Sequence, residues 1–163
     1  MDIEQIPVSD EVLAIMRSAA TKTLRGGEAF ITPRTMMIAL VEDPSMTEPL
    51  QEAVDLDTLR ALQPDPLETP GVTELREERM GNDEQPALLR YDTLAFKDQD
   101  AVSTVWLNGE AHAVFLEGAR HAEGRYQPKH LALGFVSEAR RQQTVLMDIK
   151  IDAAKLSEAV FKL

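Results

Sequence analysis

The sequence predicts an all-α protein in which one four-helix unit occurs twice, giving about eight helices in a pseudo-twofold tandem repeat. Apolar residues recur at helical spacing through most of the chain, as in Val12, Ile15, Met16 and Ala19. Capping residues, prolines and glycines mark where helices begin and end. Segments from the early part of the chain also reappear, in the same order, near its end.

The internal repeat is visible in three pairs of segments that keep apolar residues at most aligned positions. Glu11–Met16 aligns with Glu110–Phe115 at a separation of 99 residues, and Ile31–Leu40 aligns with Tyr126–Phe135 at a separation of 95. Val54–Asp57 aligns with Ile149–Asp152, again at 95. We therefore expect one fold unit encoded twice, with four extra residues in the first copy near Gly26 and Gly27.

Capping residues, glycines and prolines mark the predicted ends of the helices in the first copy. Ser9 is a predicted N-cap, and Gly26-Gly27 is typical of a helix C-terminus. Thr32-Pro33 predicts the start of a second helix, which Asp43-Pro44 ends. The remaining predicted helices are about Met46–Ala53 and one from near Asp57, followed in the second copy by Gly109–Glu123, Pro128–Ala139, Arg141–Met147 and Asp152–Leu163. Small residues such as Gly118 and Ala119 indicate helices that approach closely.

Three regions follow from this pattern: a first helical repeat at 1–62, a connecting region at 63–107 and a second helical repeat at 108–163. Gln63–Pro86 contains four prolines, seven acidic and two basic residues, which predicts a solvated linker. Leu88–Leu107 is rich in strand-favouring residues around Lys97–Asp100. It fits either a small β-hairpin or an extended segment packed on the helices.

Charge and composition limit the classes of molecule that the protein is expected to bind. The 163 residues include 28 acidic and 17 basic ones, a formal charge of −11, which disfavours nucleic acid and anionic membrane surfaces. The absence of cysteine excludes disulfides and thiolate chemistry. Neither a long apolar run nor a secretory signal is found. A cytoplasmic protein with a protein or peptide partner is expected.

No motif predicts catalysis or a cofactor. P-loop and dinucleotide-binding glycine patterns are missing, and the three histidines lack metal-ligand spacing. Ser103, Ser137 and Ser157 lie outside any nucleophile elbow. We expect no enzyme activity, no cofactor and no metal. A hydrolase would need a nucleophile, a base and an oxyanion site that converge in the fold.

The repeated unit resembles a known family. Ile31–Leu40 with Leu56–Leu62, and Tyr126–Phe135 with Ile151–Val160, are similar to the Clp N-terminal (Clp repeat) domain of the Clp-family AAA+ unfoldases. The resemblance implies a pseudo-twofold pair of four-helix repeats that receives substrates and adaptor proteins for the chaperone and protease system. The chain carries no ATPase region, so we expect a free-standing Clp-repeat protein or the N-terminal part of a longer unfoldase.

The resemblance also singles out candidate binding residues. Some family members recognise phosphorylated arginine through an acidic residue at the start of the second helix of each repeat. Here those positions carry Arg34 and Lys129, followed by Thr35 and His130. Because both acids are replaced by cations, phosphoarginine recognition is in doubt, and an acidic peptide or a small anion is the expected ligand. The alternative is that each cation only pairs with an acidic neighbour.

Two further hypotheses remain open besides a protein-recognition module. One is a small-molecule-binding or sequestering protein that uses the groove between the repeats. The other is an unrecognised hydrolase.

Overall fold

The protein was analysed as a computed structural model, which describes residues 8–25, 30–62, 73–74, 76–79, 87–90, 95–98, 101–104, 106–107, 109–141 and 149–163. The described residues are mostly helical, as predicted. The helices are α1 Asp10–Arg25, α2 Pro33–Glu42, α3 Pro44–Leu50, α4 Leu56–Ala61, α5 Gly109–His121, α6 Pro128–Arg141 and α7 Ala153–Phe161. The helix predicted at Arg141–Met147 lies outside the described residues except for Arg141, which ends α6.

Helix starts agree closely with the predicted caps. The Ser9 hydroxyl accepts a hydrogen bond from the Val12 amide at 3.2 Å, and the Thr32 hydroxyl accepts one from the Thr35 amide at 3.3 Å. Asp43 ends α2 and also caps α3, its carboxylate accepting from the Ser45 amide. Because Pro44 fits the first helical position, α3 begins there and not at the predicted Met46.

The described chain has a first half, residues 8–62, and a second half, from residue 106 to residue 163. The last helix of each half is capped by an aspartate. The carboxylate of Asp55 accepts hydrogen bonds from the amides two and three residues later, and Asp152 does the same before α7. Asp152 follows Asp55 by 97 residues, so the alignment of Asp57 with Asp152 is wrong by two residues. The corresponding chain before α7 is longer and contains Lys150, whose φ of 59° is left-handed.

Short strands occupy parts of the connecting region: β2 Thr73–Glu74, β3 Arg76–Arg79, β4 Ala87–Arg90, β5 Ala95–Asp98, β6 Ala101–Thr104 and β7 Trp106–Leu107, with β1 Phe30–Ile31 in the first half. Strands β5 and β6 form an antiparallel hairpin, and β3 pairs antiparallel with β4. Strand β7 lies between β1, which is parallel to it, and β2, which is antiparallel. The predicted solvated linker therefore contains two strands, and the hairpin is shorter than the run that predicted it.

The segments that precede helices exchange backbone contacts between the two halves. Leu107, before α5, pairs with Ile31, before α2. Reciprocally, Val8, before α1, forms a parallel bridge with Tyr126, before α6, and the Ser9 amide donates to the Tyr126 carbonyl at 2.9 Å. Leu107 follows Val8 by 99 residues and Tyr126 follows Ile31 by 95, the same separations that the repeated segments show.

One hydrophobic core runs through both halves. Helices α2 and α3 pack against α5, α6 and α7, and the core includes fully buried Met36, Leu40, Phe115 and Phe135. Tyr126 stacks on Phe115 with ring centroids 4.6 Å apart and donates its hydroxyl to the Phe115 carbonyl at 2.9 Å. The core therefore fixes the segment that leads into α6.

Helices α5 and α6 cross at two glycines. A Cβ on Gly134 would lie 2.3 Å from the Val114 carbonyl oxygen and 2.7 Å from the Gly118 amide nitrogen. A Cβ on Gly118 would lie 2.7 Å from the His130 carbonyl oxygen. The close approach that the small residues of α5 predicted is therefore present, and Gly134 is the residue of α6 that takes part in it.

Candidate functional site

The predicted site residues lie in the first turns of α2 and α6. Thr35 and His130 take part in capping. The Thr35 and Thr32 hydroxyls are 3.3 Å apart, and the His130 Nδ1 accepts a hydrogen bond from the Gln127 amide at 2.9 Å. His130 thus closes the start of α6 in the way that a glutamine or glutamate does in a capping box. Both side chains are buried, so their first role is to hold the helix starts.

The two cations beside them are differently placed. The Arg34 side chain is half-buried and Lys129 is exposed, and neither helix has an acidic residue in its first turn. Within the part of the chain that the structure describes, neither cation forms an ion pair. Pairing with an acidic neighbour, the alternative explanation for these residues, is therefore not found among the described residues.

His130 is held neutral. Burial lowers the pKa of His130, the nearby Lys129 and His121 side chains lower it further, and Glu123 opposes them only in part. Because Nδ1 accepts from the Gln127 amide, the proton of the neutral ring is on Nε2. His130 therefore has one remaining hydrogen-bond donor and no acceptor.

A cleft of about 690 Å³ opens beside the start of α6, bounded by the ends of α5 and α7. Its lining combines basic, apolar and other polar side chains. The basic side chains are Arg125, Lys129, Arg140, His121 and His130, the apolar ones are Leu133, Val136, Val160, Phe161 and Leu163, and the others are Glu123, Gln127 and Ser137. Phe161 and Leu163 are 68% and 46% exposed. On a chain of charge −11, the described lining of this cleft carries three fixed cationic side chains and one side-chain carboxylate.

The structure brings only half of the predicted site residues to this cleft. Lys129 and His130 line it, whereas Arg34 and Thr35 do not. Arg125, Arg140 and the α7 residues were not predicted as site residues, because they come from three separate segments. Charge offered a partial signal, since Arg125, Lys129 and Arg140 are close together in the sequence.

A histidine and a serine meet at the cleft. His121 Nε2 and Ser137 Oγ are 2.8 Å apart, joining the end of α5 to α6. This is the distance expected of a base and a nucleophile, although Ser137 had no distinguishing sequence context. Among the described residues, however, no carboxylate is hydrogen-bonded to His121. Glu117, one turn earlier, is paired with Arg141 at 2.8 Å and Arg120 at 3.1 Å.

The first half has an ionic link at the matching place. Glu42 on α2 is 2.9 Å from the Lys22 ammonium on α1 and 2.8 Å from the Arg60 guanidinium on α4. Burial works to raise the pKa of Glu42, but Arg60 and Lys22 together outweigh it and hold the pKa below its ordinary value. Lys22 precedes His121 by 99 residues and Glu42 precedes Ser137 by 95. The His121–Ser137 hydrogen bond is thus the counterpart of a link between helices.

A buried carboxylate lies near the cleft, on α6. Glu138 is 2% exposed, and its Oε2 has no hydrogen-bond partner among the described residues. Burial raises the pKa of Glu138; Arg141, 3.8 Å away, and Arg120 oppose the shift, whereas Glu117 adds to it. Glu138 therefore favours the protonated form more than an exposed glutamate does.

A smaller cavity of about 330 Å³ lies where the end of α3 meets α7. Pro49, Glu52 and Ala53 line one side, and Lys155, Glu158, Ala159 and Lys162 line the other. It corresponds to the groove between the two halves that a small-molecule-binding protein would use. Its lining mixes both signs of charge and indicates no particular ligand.

No group of three or more potential ligands for a metal ion occurs among the described residues, and no described helix is long and apolar enough to cross a membrane. No protein-family model matches the chain, and no curated protein matches its sequence.

Proposed function

We propose that this chain is a non-catalytic, cytoplasmic protein-recognition module of the Clp chaperone and protease system, made of two four-helix repeats, that binds substrates or adaptor proteins. The observation that carries the proposal is the cleft at α6, which Arg125, Lys129 and Arg140 line together with apolar side chains that include exposed Phe161. A cleft lined by both cations and apolar side chains suits a polypeptide ligand, which offers charge and apolar side chains together.

The repeat architecture has independent support. The segments before α1 and α5 pair reciprocally with those before α6 and α2, at the separations of 99 and 95 residues found in the sequence. A reciprocal exchange of this kind is what a pseudo-twofold axis between two equivalent units produces. The last helix of each half is also preceded by an aspartate N-cap, Asp55 before α4 and Asp152 before α7.

A non-catalytic role is supported by the setting of His121 and Ser137. Ser137 lies in the interior of α6, where its amide belongs to the helix and is not free to stabilise an oxyanion. The matching residues of the first half form an ion pair that links helices. Both facts favour a structural link over a nucleophile and its base.

Affinity capture tests the proposal. The tagged chain is incubated with lysate of the source organism, and bound proteins are identified by mass spectrometry beside Lys129→Glu and Arg34→Glu variants. Recovery of Clp subunits, their adaptors or a defined client set, reduced by Lys129→Glu but not by Arg34→Glu, is expected. Recovery of no protein above background by the wild-type chain would count against a recognition module.

The small-molecule alternative rests on the cavity between α3 and α7. A ligand there would raise the melting temperature without any protein partner, because binding to the folded state alone stabilises it. Substitution of Lys155 and Lys162 by alanine would abolish that shift, whereas Lys129→Glu would leave it unchanged.

A further inference from the structure

The two halves differ in the side-chain contact that links their helices at one set of corresponding positions. In the first half, Glu42 is bonded to both Lys22 and Arg60 and so links α1, α2 and α4. The residues at 99, 95 and 97 positions later are His121, Ser137 and Ser157. Serines therefore occupy the positions that correspond to Glu42 and Arg60. One His121–Ser137 hydrogen bond is found where the first half has a three-residue ion pair.

The cleft lies at this place in the second half. His121 and Ser137 line it together with Val160 and Phe161 of α7. Ser157, the counterpart of Arg60, is too short to reach α6 as Arg60 reaches Glu42, and among the described residues no ion pair joins α7 to α6. His121 and Ser137, the counterparts of Lys22 and Glu42, line the cleft with shorter side chains.

The open space is suited to negative charge. Arg125, Lys129 and Arg140 line it, and in the described part of the chain none of them forms an ion pair. The neutral His130 ring adds an Nε2–H donor, and Glu123 is the one acidic side chain among the described residues of the lining. Cations concentrated on a protein of charge −11 attract an anionic group selectively to this surface.

The floor is suited to an apolar side chain. Leu133 and Val136 of α6 and Val160 of α7 line the cleft, and Phe161 at its edge is 68% exposed. A small anion would leave this apolar surface in water. A peptide that carries both carboxylates and an aliphatic or aromatic side chain would cover it.

From these observations we infer that the second half, which has a His121–Ser137 hydrogen bond in place of the helix-linking ion pair, uses the cleft beside that bond to bind an acidic peptide segment with an apolar anchor. Its carboxylates contact Arg125, Lys129 and Arg140, and its apolar side chain packs on Leu133, Val136 and Phe161. The inference rests on the proposed function and assigns binding to one half only.

The test restores the ion pair in the second half through the variant His121→Lys/Ser137→Glu/Ser157→Arg. The probe is a short, capped, fluorescein-labelled peptide of alternating glutamate and leucine, and binding is measured by fluorescence anisotropy. By charge alone this variant gains a positive charge and should bind the probe more tightly. If the restored ion pair fills the cleft, the Kd instead rises by about tenfold or more, while circular dichroism and the melting temperature show a folded chain.

The matched control is the reverse exchange in the first half, Lys22→His/Glu42→Ser/Arg60→Ser, which keeps the wild-type Kd. Two further probes separate the contributions: glutamine in place of glutamate removes the charge, and serine in place of leucine removes the anchor. Each should weaken binding at least fivefold, and salt should weaken binding of the glutamate probe, because exposed charges are screened.

Three outcomes would overturn the inference: equal or tighter binding by the restored variant, equal binding of the glutamine probe, or no binding of the glutamate probe to the wild-type chain. If affinity capture still recovers Clp components in any of these cases, the recognition function stands and only its assignment to this cleft and ligand fails. Probe binding without recovery of Clp components would support the cleft and contradict the Clp role.

Discussion

The crossing of α5 and α6 depends on Gly134, and Gly134→Ala tests it. The added Cβ would lie 2.3 Å from the Val114 carbonyl oxygen, 2.7 Å from the Gly118 amide nitrogen and 3.0 Å from the Gly118 Cα. All three atoms belong to the backbone of α5, so no side-chain rotation relieves the contact. The helices must separate, and the buried contacts between them must loosen.

The expected size of the effect comes from two opposing terms. Alanine is favoured over glycine inside a helix by about 1 kcal/mol. Overpacking of a close-packed core costs about 1–3 kcal/mol, and rigid backbone neighbours place this site at about 3. The net loss is therefore about 2 kcal/mol in the free energy of unfolding. For a chain of this length, that corresponds to a melting temperature lower by about 4–8 °C.

Urea unfolding followed by circular dichroism measures this loss. The control is Gly124→Ala, where the added Cβ meets no atom within 4 Å and the only cost is the left-handed φ of 103°. That variant should lose about 1 kcal/mol. A Gly134→Ala protein as stable as the wild type, or more stable, would show that α5 and α6 are not in backbone contact and would refute the reasoning.

Two further predictions concern helix starts. Asp152→Ala removes the side chain that accepts hydrogen bonds from the Ala154 and Lys155 amides, so the free energy of unfolding should fall by about 1 kcal/mol. Asp152→Asn keeps a side chain that can cap the helix and should lose much less stability. Equal losses in the two variants would contradict the capping role. For His130, burial and the neighbouring cations hold the pKa below its value in the unfolded chain, so the unfolded state binds the proton first and stability falls as the pH drops below about 6.5. His130→Gln should flatten this fall in urea titrations at several pH values, with His112, whose pKa burial also lowers, accounting for part of what remains. An unchanged pH dependence would show that His130 does not couple to folding.

Much of the helical architecture could be predicted because its signals are local. Thr32 followed by Pro33 places the start of α2, and Ser9 places the start of α1. The strands were harder to predict, because β1 and β7 pair across more than seventy residues and are only two residues long.

The candidate site could be predicted only in part. Lys129 and His130 were predicted only through the resemblance to a known family, and both line the cleft. Arg34 and Thr35 hold equivalent positions in the first half but do not line that cleft. Equivalent sequence positions therefore do not give equivalent surfaces, because a cleft also depends on side chains from other helices.

The sequence by itself determined where most of the described helices begin and that some of them pack closely, since caps, prolines and small residues act through contacts a few residues apart. Tertiary structure decided which side chains meet across helices. Glu42 reaches Lys22 and Arg60, whereas Ser137 reaches only His121, so one half carries an ion pair where the other has an open cleft. Those contacts depend on how the helices pack around a shared core and on the length of chain before α7, and no local pattern specifies either.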